Sequence, residues 1–548
     1  MSKINHSIGT LIPRQCRTTW SKQEVGVAHH LLKTIMRVLF TMSLSLVLLA
    51  SIVQTGAAQQ EPESGARWDP AVRVPSPEDP TRISDSWFPD LAVDSKGNVH
   101  VIWSETLRPN EEGVAYSESA YYSMWDGNHW SQYNDIVAVN ADIVRTALAI
   151  DRFDTLHLLY DFSPPYTLYY KRASASEAFS AGKWSTPIRV NENSQTYMSD
   201  IVAKGDKLFV VYDDGGVIND ENCPQCADIY FRYSPDLGNT WESPASLYPT
   251  NTGSSRANIE VDSSDRVYVA WDEGWDRLTG VGESEYSVFV TLPELEGTWS
   301  EPLAVSYPNN TNLQLTVGAD GKGGIMLVWR TASSEFPGIY WMWSTDYGES
   351  WSSPQTLPGI VSRNIDNPFD VYDMATDSAG HIHLVVVGYL GGSADARVSA
   401  PGVYHFEWDG TNWSVPMLVY KSDNFPEYPH IVVSQGNQLH TTWFVRQDVF
   451  NAVVPNQVWY AHGVSTAPEV QPAAVDATGG TQMTPGGATT TDGDGASSQT
   501  SATEDWRNSP HSDTSSVYTE MDDYRMLLIS LVPVAILIAA VIFYSRRH

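Results

Sequence analysis

The sequence predicts an all-β protein: one seven-bladed β-propeller closed by its N-terminal strand, followed by a disordered stalk and one C-terminal transmembrane helix. Three observations predict it. A two-strand motif recurs seven times, a tryptophan-opened strand recurs on the same beat, and an apolar run lies near each end of the chain.

The two-strand motif pairs a short apolar strand with a second one across a polar turn. It reads LAVDSKGNVHVIW at 91–103, LAIDRFDTLHLLY at 148–160, IVAKGDKLFVVY at 201–212 and IEVDSSDRVYVAW at 259–271. It continues as LTVGADGKGGIMLVW at 315–329, MATDSAGHIHLVVV at 374–387 and IVVSQGNQLHTTW at 431–443. The turn position falls at Asp94, Asp151, Lys204, Asp262, Gly318, Asp377 and Ser434, at spacings of 57, 53, 58, 56, 59 and 57. So even a period marks a repeat architecture.

Trp68, Trp130, Trp184, Trp241, Trp299, Trp351 and Trp413 each open a further strand. Another strand lies between, such as IYFRYS at 229–234 or IYWMWS at 339–344. Four strands per period make a propeller blade. The seventh inner pair has no tryptophan-opened strand after it, and the first such strand, at 67–74, precedes every pair. The N-terminal strand therefore completes the seventh blade, which removes an exposed edge. A parallel solenoid is the rival architecture, and the orphan end strands fit it less well.

The ends lie outside this repeat. Residues 38–53 are apolar, follow Lys33 and Arg37, and lead to Gly56-Ala57-Ala58. That is signal-peptide grammar over 1–58, with cleavage expected after Ala58 and Met36 an attractive start; an uncleaved anchor is the alternative. Residues 465–523 are rich in Thr, Ser, Gly, Ala and Asp, and read as a flexible linker. Residues 526–544 carry no charge, and 525–545 read as a membrane helix with a cytoplasmic tail at 546–548. The expected protein is a single-pass cell-membrane protein, with the propeller at 59–464 held outside.

Composition narrows the partners. The 548 residues include 33 Lys+Arg and 65 Asp+Glu, a net charge of −32, of which −31 falls on the propeller region. That opposes nucleic-acid binding, which needs a basic face. Three Cys rule out a disulfide framework. An extracellular glycan or protein partner and a monomer are expected, with no cofactor. Acidic loops leave Ca²⁺ open, but no complete EF-hand-like pattern is present.

Two segments then carry a resemblance. Ser234-Pro235-Asp236-Leu237-Gly238-Asn239-Thr240-Trp241 and Ser344-Thr345-Asp346-Tyr347-Gly348-Glu349-Ser350-Trp351 match S-x-D-x-G-x-[TS]-W. This resembles the Asp box, or bacterial neuraminidase repeat, of sialidase-like propellers. Shorter versions stand at Asp126-Gly127…Trp130 and Asp409-Gly410…Trp413. The resemblance implies a structural role for Ser234, Asp236, Gly238, Trp241, Ser344, Asp346, Gly348 and Trp351, away from the active face. A sialidase would also need an arginine triad, a Tyr–Glu nucleophile pair and an Asp acid/base. The family's first arginine lies in Arg-Ile-Pro; the aligned triplet here is Trp87-Phe88-Pro89. Arg82-Ile83-Ser84 stands five residues earlier and lacks the proline. Sialidase domains usually have six blades, and this chain counts seven.

Repeat symmetry locates a candidate site on the opposite face. Four residues before each turn position stand Asp90, Ala147, Asp200, Asn258, Gln314, Asp373 and His430. Two residues earlier stand Phe88, Arg145, Met198, Arg256, Asn312, Val371 and Tyr428. Both rings should converge near the axial opening, a default ligand site. Arg145 and Arg256 suit a carboxylate or sulfate. Asp90, Asp200 and Asp373, with Tyr428, are the candidates for acid–base glycoside chemistry. Trp87, Tyr197, Tyr372, Tyr428 and Trp275 could stack on sugars. The competing readings make the ring positions strand-end residues that bond neighbouring blades and channel water, the arginines solvated or paired with Asp90 and Asp200, and the aromatics core or blade-interface packing.

Cys223-Pro224-Gln225-Cys226 lies in the acidic loop 213–228. Zinc wants four ligands and a redox motif wants a βαβ context, so outside the cell a Cys223–Cys226 disulfide is expected.

Function stays open between three readings: a surface propeller that binds a glycan or polysaccharide, a glycan-active hydrolase or lyase, and an envelope protein-interaction scaffold.

Overall fold

Each repeat alternates in a way that suits burial on both faces. In Val99-His100-Val101-Ile102-Trp103 all five side chains are buried, because a blade has a neighbour on either side. The computed structural model describes residues 65–470 apart from 79–81, 110–116, 139–144, 163–166, 194–195, 216–225, 251, 276–281, 306, 309–311, 332–337, 363–371, 392–400, 422–423 and 447–454. The predicted signal, membrane helix and tail lie outside the described residues, as does the linker beyond 470. Among the described residues no helix is long and apolar enough to cross a membrane.

Seven antiparallel sheets follow one another along the chain. Their first strands are Arg82–Val93, Thr146–Ile150, Ser199–Lys204, Ser254–Val261, Asn312–Ala319, Asp373–Thr376 and Phe425–Ser434, which define blades 1 to 7. These strands touch in ring order, and the seventh touches the first. In blades 1 to 6 the remaining strands step outward in chain order. Blade 7 takes its outer strand from the other end of the chain: Arg67 pairs with Val464 and Trp68 with Gly463. The ring is closed, which excludes the solenoid.

The turn aspartates explain the regular hairpins. Asp94 Oδ1 accepts the amides of Lys96 and Asn98 at 2.9 and 2.8 Å, and Asp151, Asp262 and Asp377 repeat the arrangement. In blade 5 the same work is done by Asp320, whose Oδ1 accepts Lys322 and Gly324 N at 2.7 Å. The expected turn position at Gly318 is therefore two residues early: Gly318 pairs with Met326 inside the hairpin ladder. Adjacent turns are also tied together, by Ser95 to Asp154, Arg152 to Asp206 and Lys207 to Asp265.

The Asp boxes seal blade against blade. Asp236 accepts Thr240 N and Oγ1 at 2.7 and 2.8 Å, while Ser234 Oγ accepts Gly238 N at 2.7 Å. Asp346, Ser350, Ser344 and Gly348 repeat the set. Trp241 meets Tyr170 of the preceding blade at 5.1 Å, and Trp351 meets Phe289 at 5.3 Å. Gly238 has φ 85° and lies so close to Tyr170 that a Cβ would fall 2.1 Å from its hydroxyl, so a side chain is excluded twice over.

The start of the predicted linker belongs to the propeller. Ser465 N donates to Asn437 O at 2.9 Å, Ser465 Oγ to Asp377 at 3.0 Å, and Val470 N to Gln435 O at 2.7 Å. Residues 465–470 thus lie along the turns of blades 6 and 7, and the ordered domain runs past 464.

Candidate functional site

The inner-strand ring converges as repeat symmetry requires, with one correction. Register places Asp90, Ala147, Asp200, Asn258, Thr316, Asp373 and His430 opposite Ile102, Leu159, Val211, Ala270, Val328, Val385 and Thr442. Blade 5 contributes Thr316 at this level, not Gln314, because its turn sits at Asp320. Gln314 belongs to the other ring, beside Phe88, Arg256 and Tyr428, and Asn312 does not. These four residues share positive φ, at 46°, 58°, 57° and 57°. Each marks a β-bulge, since the ladder shifts register between 87 and 90, 255 and 258, 313 and 316, and 427 and 430. A bulge re-aims a side chain at the strand end. Arg145 and Met198 hold this level in blades 2 and 3 without a positive φ, and Val371 lies outside the described residues.

Asp90, Asp200, Asn258, Gln314, Arg256, Asp373, Tyr428 and His430 all line one axial cavity of about 310 Å³. Three carboxylates there clamp adjacent blades. Asp90 accepts Leu91 N and, from blade 2, Leu148 N, both at 2.7 Å. Asp200 accepts Ile201 N at 2.8 Å and, from blade 4, Ile259 N at 2.9 Å. Asp373 accepts Met374 N and, from blade 7, Ile431 N, both at 2.8 Å. Asn258 does the same with an amide, accepting Val317 N at 3.1 Å and donating to Leu315 O at 2.5 Å. The blade-bonding reading therefore holds for these side chains, and they still face the cavity.

Electrostatics gives the cavity its chemistry. Burial lifts the Asp200 carboxyl to about 7, and the neighbouring Asp90 and Asp373 push the same way. Burial also raises Asp90, against the pull of His430 and two backbone amides. Glu260, two residues beyond Asn258 on the same face, is pushed up to about 8 by burial, against Lys204. His430 Nδ1 lies 3.5 Å from Asp373 and 4.0 Å from Asp90. Burial disfavours its cation, but the three aspartates outweigh that and push it up to about 9. His430 Nε2 has no hydrogen-bond partner among the described residues. A protonated imidazole in a ring of carboxyl groups results, with a donor to spare.

The arginines are engaged by the protein. Arg145 is 4% exposed. Its guanidinium lies between the rings of Phe88 and Tyr197, at 4.0 and 4.2 Å, while its amide donates to Asp161. Arg256 Nε lies 3.1 Å from Asp272, which also accepts Gln314 N. Arg330 Nε donates to Gln314 Oε1 at 2.5 Å. These groups form a buried belt around the mouth, held by cation–π contact and ion pairing. Trp87, at the aligned arginine position, packs on Phe88 and Phe444 at 6.0 and 5.6 Å. Tyr428 stands 4.7 Å from His430, ring to ring, and its hydroxyl is raised by burial. Tyr372 lines the cavity; the side chain of Trp275 lies outside the described residues.

Several polar residues escape the two sequence rings. Asp161, Asp213 and Asp272 directly follow the inner pair; Asp161 and Asp213 cap the entry to their own blade's inner strand, and Asp272 caps the bulge of the next blade. Asp213 accepts Tyr197 and Met198 N at 2.7 and 2.8 Å, so it belongs to a strand and not to an acidic loop. Glu105 and Glu273 gather hydroxyls and a tryptophan each, Ser86 and Trp103 against Ser254 and Trp271 among them. The W-x-E spacing signals this pair, and Glu260 is legible from strand alternation. Cys226 is disulfide-bonded; Cys223, its expected partner, lies outside the described residues. Among the described residues no group of three or more His, Cys, Asp and Glu is placed to hold a metal.

Residues 171–441 match the model of the BNR repeat-like domain. No curated protein matches the chain. Three solved structures are similar at low identity. A protein of unknown function from Dyadobacter fermentans shares 12% identity at TM-score 0.42, over 73% of this chain and 99% of that one. The NanB sialidase of Streptococcus pneumoniae shares 14% at TM-score 0.40, over 74% and 71%. The leech intramolecular trans-sialidase shares 15% at TM-score 0.39, over 72% and 70%. By its closed ring of seven blades, its two complete Asp boxes and the BNR repeat match, the protein is a sialidase-like β-propeller.

Proposed function

We propose that this propeller is a binding module for an extracellular glycan or polysaccharide, uncharged or cationic, held at the axial cavity. The observation that carries the reading is the unused Nε2 of His430 in a cavity ringed by Asp90, Asp200 and Asp373. Hydroxyl-rich ligands need such mixed donors and acceptors. A sialic acid carboxylate would find no unengaged arginine pair there, because Arg145 and Arg256 are occupied by Phe88, Tyr197 and Asp272. In this reading the signal region exports the domain, the C-terminal helix anchors it to the cell membrane, and no cofactor takes part.

The test is a glycan array and a fluorogenic sialoside assay on the purified full-length protein. Saturable binding to neutral or amino-sugar glycans, weakened about tenfold by His430→Ala and without sialoside release, is expected. Sialoside hydrolysis, or binding confined to sialylated glycans, overturns it. One observation favours a second reading as a glycan hydrolase or lyase: the Asp200 carboxyl, lifted to about 7 beside Asp90 and Asp373, is a proton donor poised near neutrality. New reducing ends or unsaturated products from a polysaccharide, lost in Asp200→Asn, would establish it. Array silence together with a captured envelope protein would favour the scaffold.

A further inference from the structure

A second cavity, of about 370 Å³, lies at the seam between blades 7 and 1, on the turn face. Its origin is readable by comparing two seams of equal construction. Blades 1 and 6 both carry the short box, in which Trp130 follows Asp126, and Trp413 follows Asp409, by four positions instead of the five of the full box. The glycine of each short box, Gly127 or Gly410, has nothing within 4 Å of a built Cβ, whereas Gly238 and Gly348 of the full boxes press on the preceding blade. The short loop therefore leaves room at both seams.

The preceding blade decides what fills it. Blade 5 offers Trp341 and Trp343, which lie 5.0 and 5.5 Å from Trp408. Blade 7 offers Tyr460 and His462 at the matching positions, since Met326 pairs with Trp343 as His440 pairs with His462. Tyr460 still reaches Trp125 and Trp130, at 6.3 and 5.6 Å. His462 is too small to replace Trp343, and the seam stays open.

The lining suits an uncharged sugar. His462 is held between Asp69 at 2.9 Å and Gln438 at 3.0 Å. Gln435, the exposed Lys96 and the half-exposed indole of Trp125 complete the wall. Planar amide, carboxylate and imidazole groups beside an aromatic face offer paired donors and acceptors to vicinal hydroxyls. Asp69, with Arg67 3.8 Å away, and Asp126 share the wall with Lys96, which leaves little net charge to recruit a phosphate or sulfate. The size falls within the small-molecule range of roughly 300–1,000 Å³. Asp69 comes from the N-terminal strand, with its amide on His462 O at 2.8 Å, so the wall exists only once the ring has closed.

We propose that the blade 7–blade 1 seam is a second carbohydrate site, binding a neutral sugar unit against Trp125, His462, Gln438 and Asp69. It is separate from the axial cavity and stands or falls independently of it. The test uses the purified full-length protein with cellotetraose, maltotetraose, laminaritetraose and mannotetraose, read by saturation-transfer NMR and tryptophan fluorescence. His462→Trp rebuilds the blade 5 filling and should weaken the seam-bound sugar at least about tenfold, while Asp200→Asn in the axial cavity changes it less than about twofold. Lys96→Ala, at the surface, and Gln438→Ala, half-buried at the cavity wall, should weaken it in the same direction if His462→Trp disturbs folding. No saturable binding of any probe up to about 10 mM, or binding that survives all three seam substitutions, overturns the proposal. Binding lost only in Asp200→Asn overturns it too, and assigns the sugar to the axial site.

Discussion

Replacing Asp200 by asparagine separates the two duties of the axial carboxylates, clamping blades and carrying charge. Asp200 holds Ile259 N of the next blade at 2.9 Å. Asn258, at the same level one blade on, makes the equivalent bond to Val317 with an amide. An amide at position 200 therefore keeps the clamp and drops the charge. Burial lifts the Asp200 carboxyl from 3.8 to about 7, so at about 1.4 kcal/mol per unit its charge costs at most roughly 4 kcal/mol. Asp200 is only partly buried, and water in the cavity trims this to about 1–3 kcal/mol. Because the folded value lies above the unfolded one, the native state holds the extra proton between those pH values. Stability then falls as pH rises through about 4 to 7 and levels off above. In urea denaturation of the full-length protein, Asp200→Asn should match wild type within about 1 kcal/mol near pH 5 and exceed it by about 1–3 kcal/mol near pH 8. Asp200→Ala, which strands the Ile259 amide, should lie about 1–3 kcal/mol below Asp200→Asn at both pH values. An effect of Asp200→Asn that ignores pH, or an asparagine no better than alanine, refutes the argument.

Two further outcomes follow from the packing. Gly238→Ala should cost about 1–3 kcal/mol more than Gly127→Ala, since both glycines have φ near 90° but only Gly238 abuts Tyr170; equal melting temperatures for the two variants would contradict this. Arg256→Met should cost about 3–5 kcal/mol by removing the Arg256 countercharge 3.1 Å from the buried Asp272 carboxylate, seen as a large drop in thermal midpoint; unchanged stability with lost glycan binding would return Arg256 to the ligand.

Seven blades, their four-strand content and the N-terminal closure are visible in the primary structure because each rests on local periodicity. Strands alternate every two residues, turn positions recur every 53 to 59 residues from Asp94 to Ser434, and an unpartnered edge at each end demands the other. The inner ring was legible for the same reason, six positions of seven. It failed at Gln314 because blade 5 carries a glycine, Gly318, near the turn and an aspartate, Asp320, at it. Only hydrogen bonding to Lys322 and Gly324 distinguishes the two.

What the ring residues do needed the fold. Arginine at a repeated position reads equally as a ligand for carboxylates or as a belt residue, and the choice depends on whether Phe88, Tyr197 and Asp272 arrive beside it. Phe88 and Tyr197 stand about one repeat from Arg145, and Asp272 lies on the strand paired with that of Arg256; periodicity brings them near, but only side-chain packing shows that they occupy the guanidinium groups. The bulges at Phe88, Arg256, Gln314 and Tyr428 show only in the register between paired strands, which the residue pattern along one strand does not carry. The seam cavity is likewise invisible along the chain, because it is the difference between His462 and Trp343, two residues that become comparable only when blades 7 and 5 are superposed. Local order follows from neighbours in sequence; sites follow from which side chains the closing ring leaves without a neighbour in space.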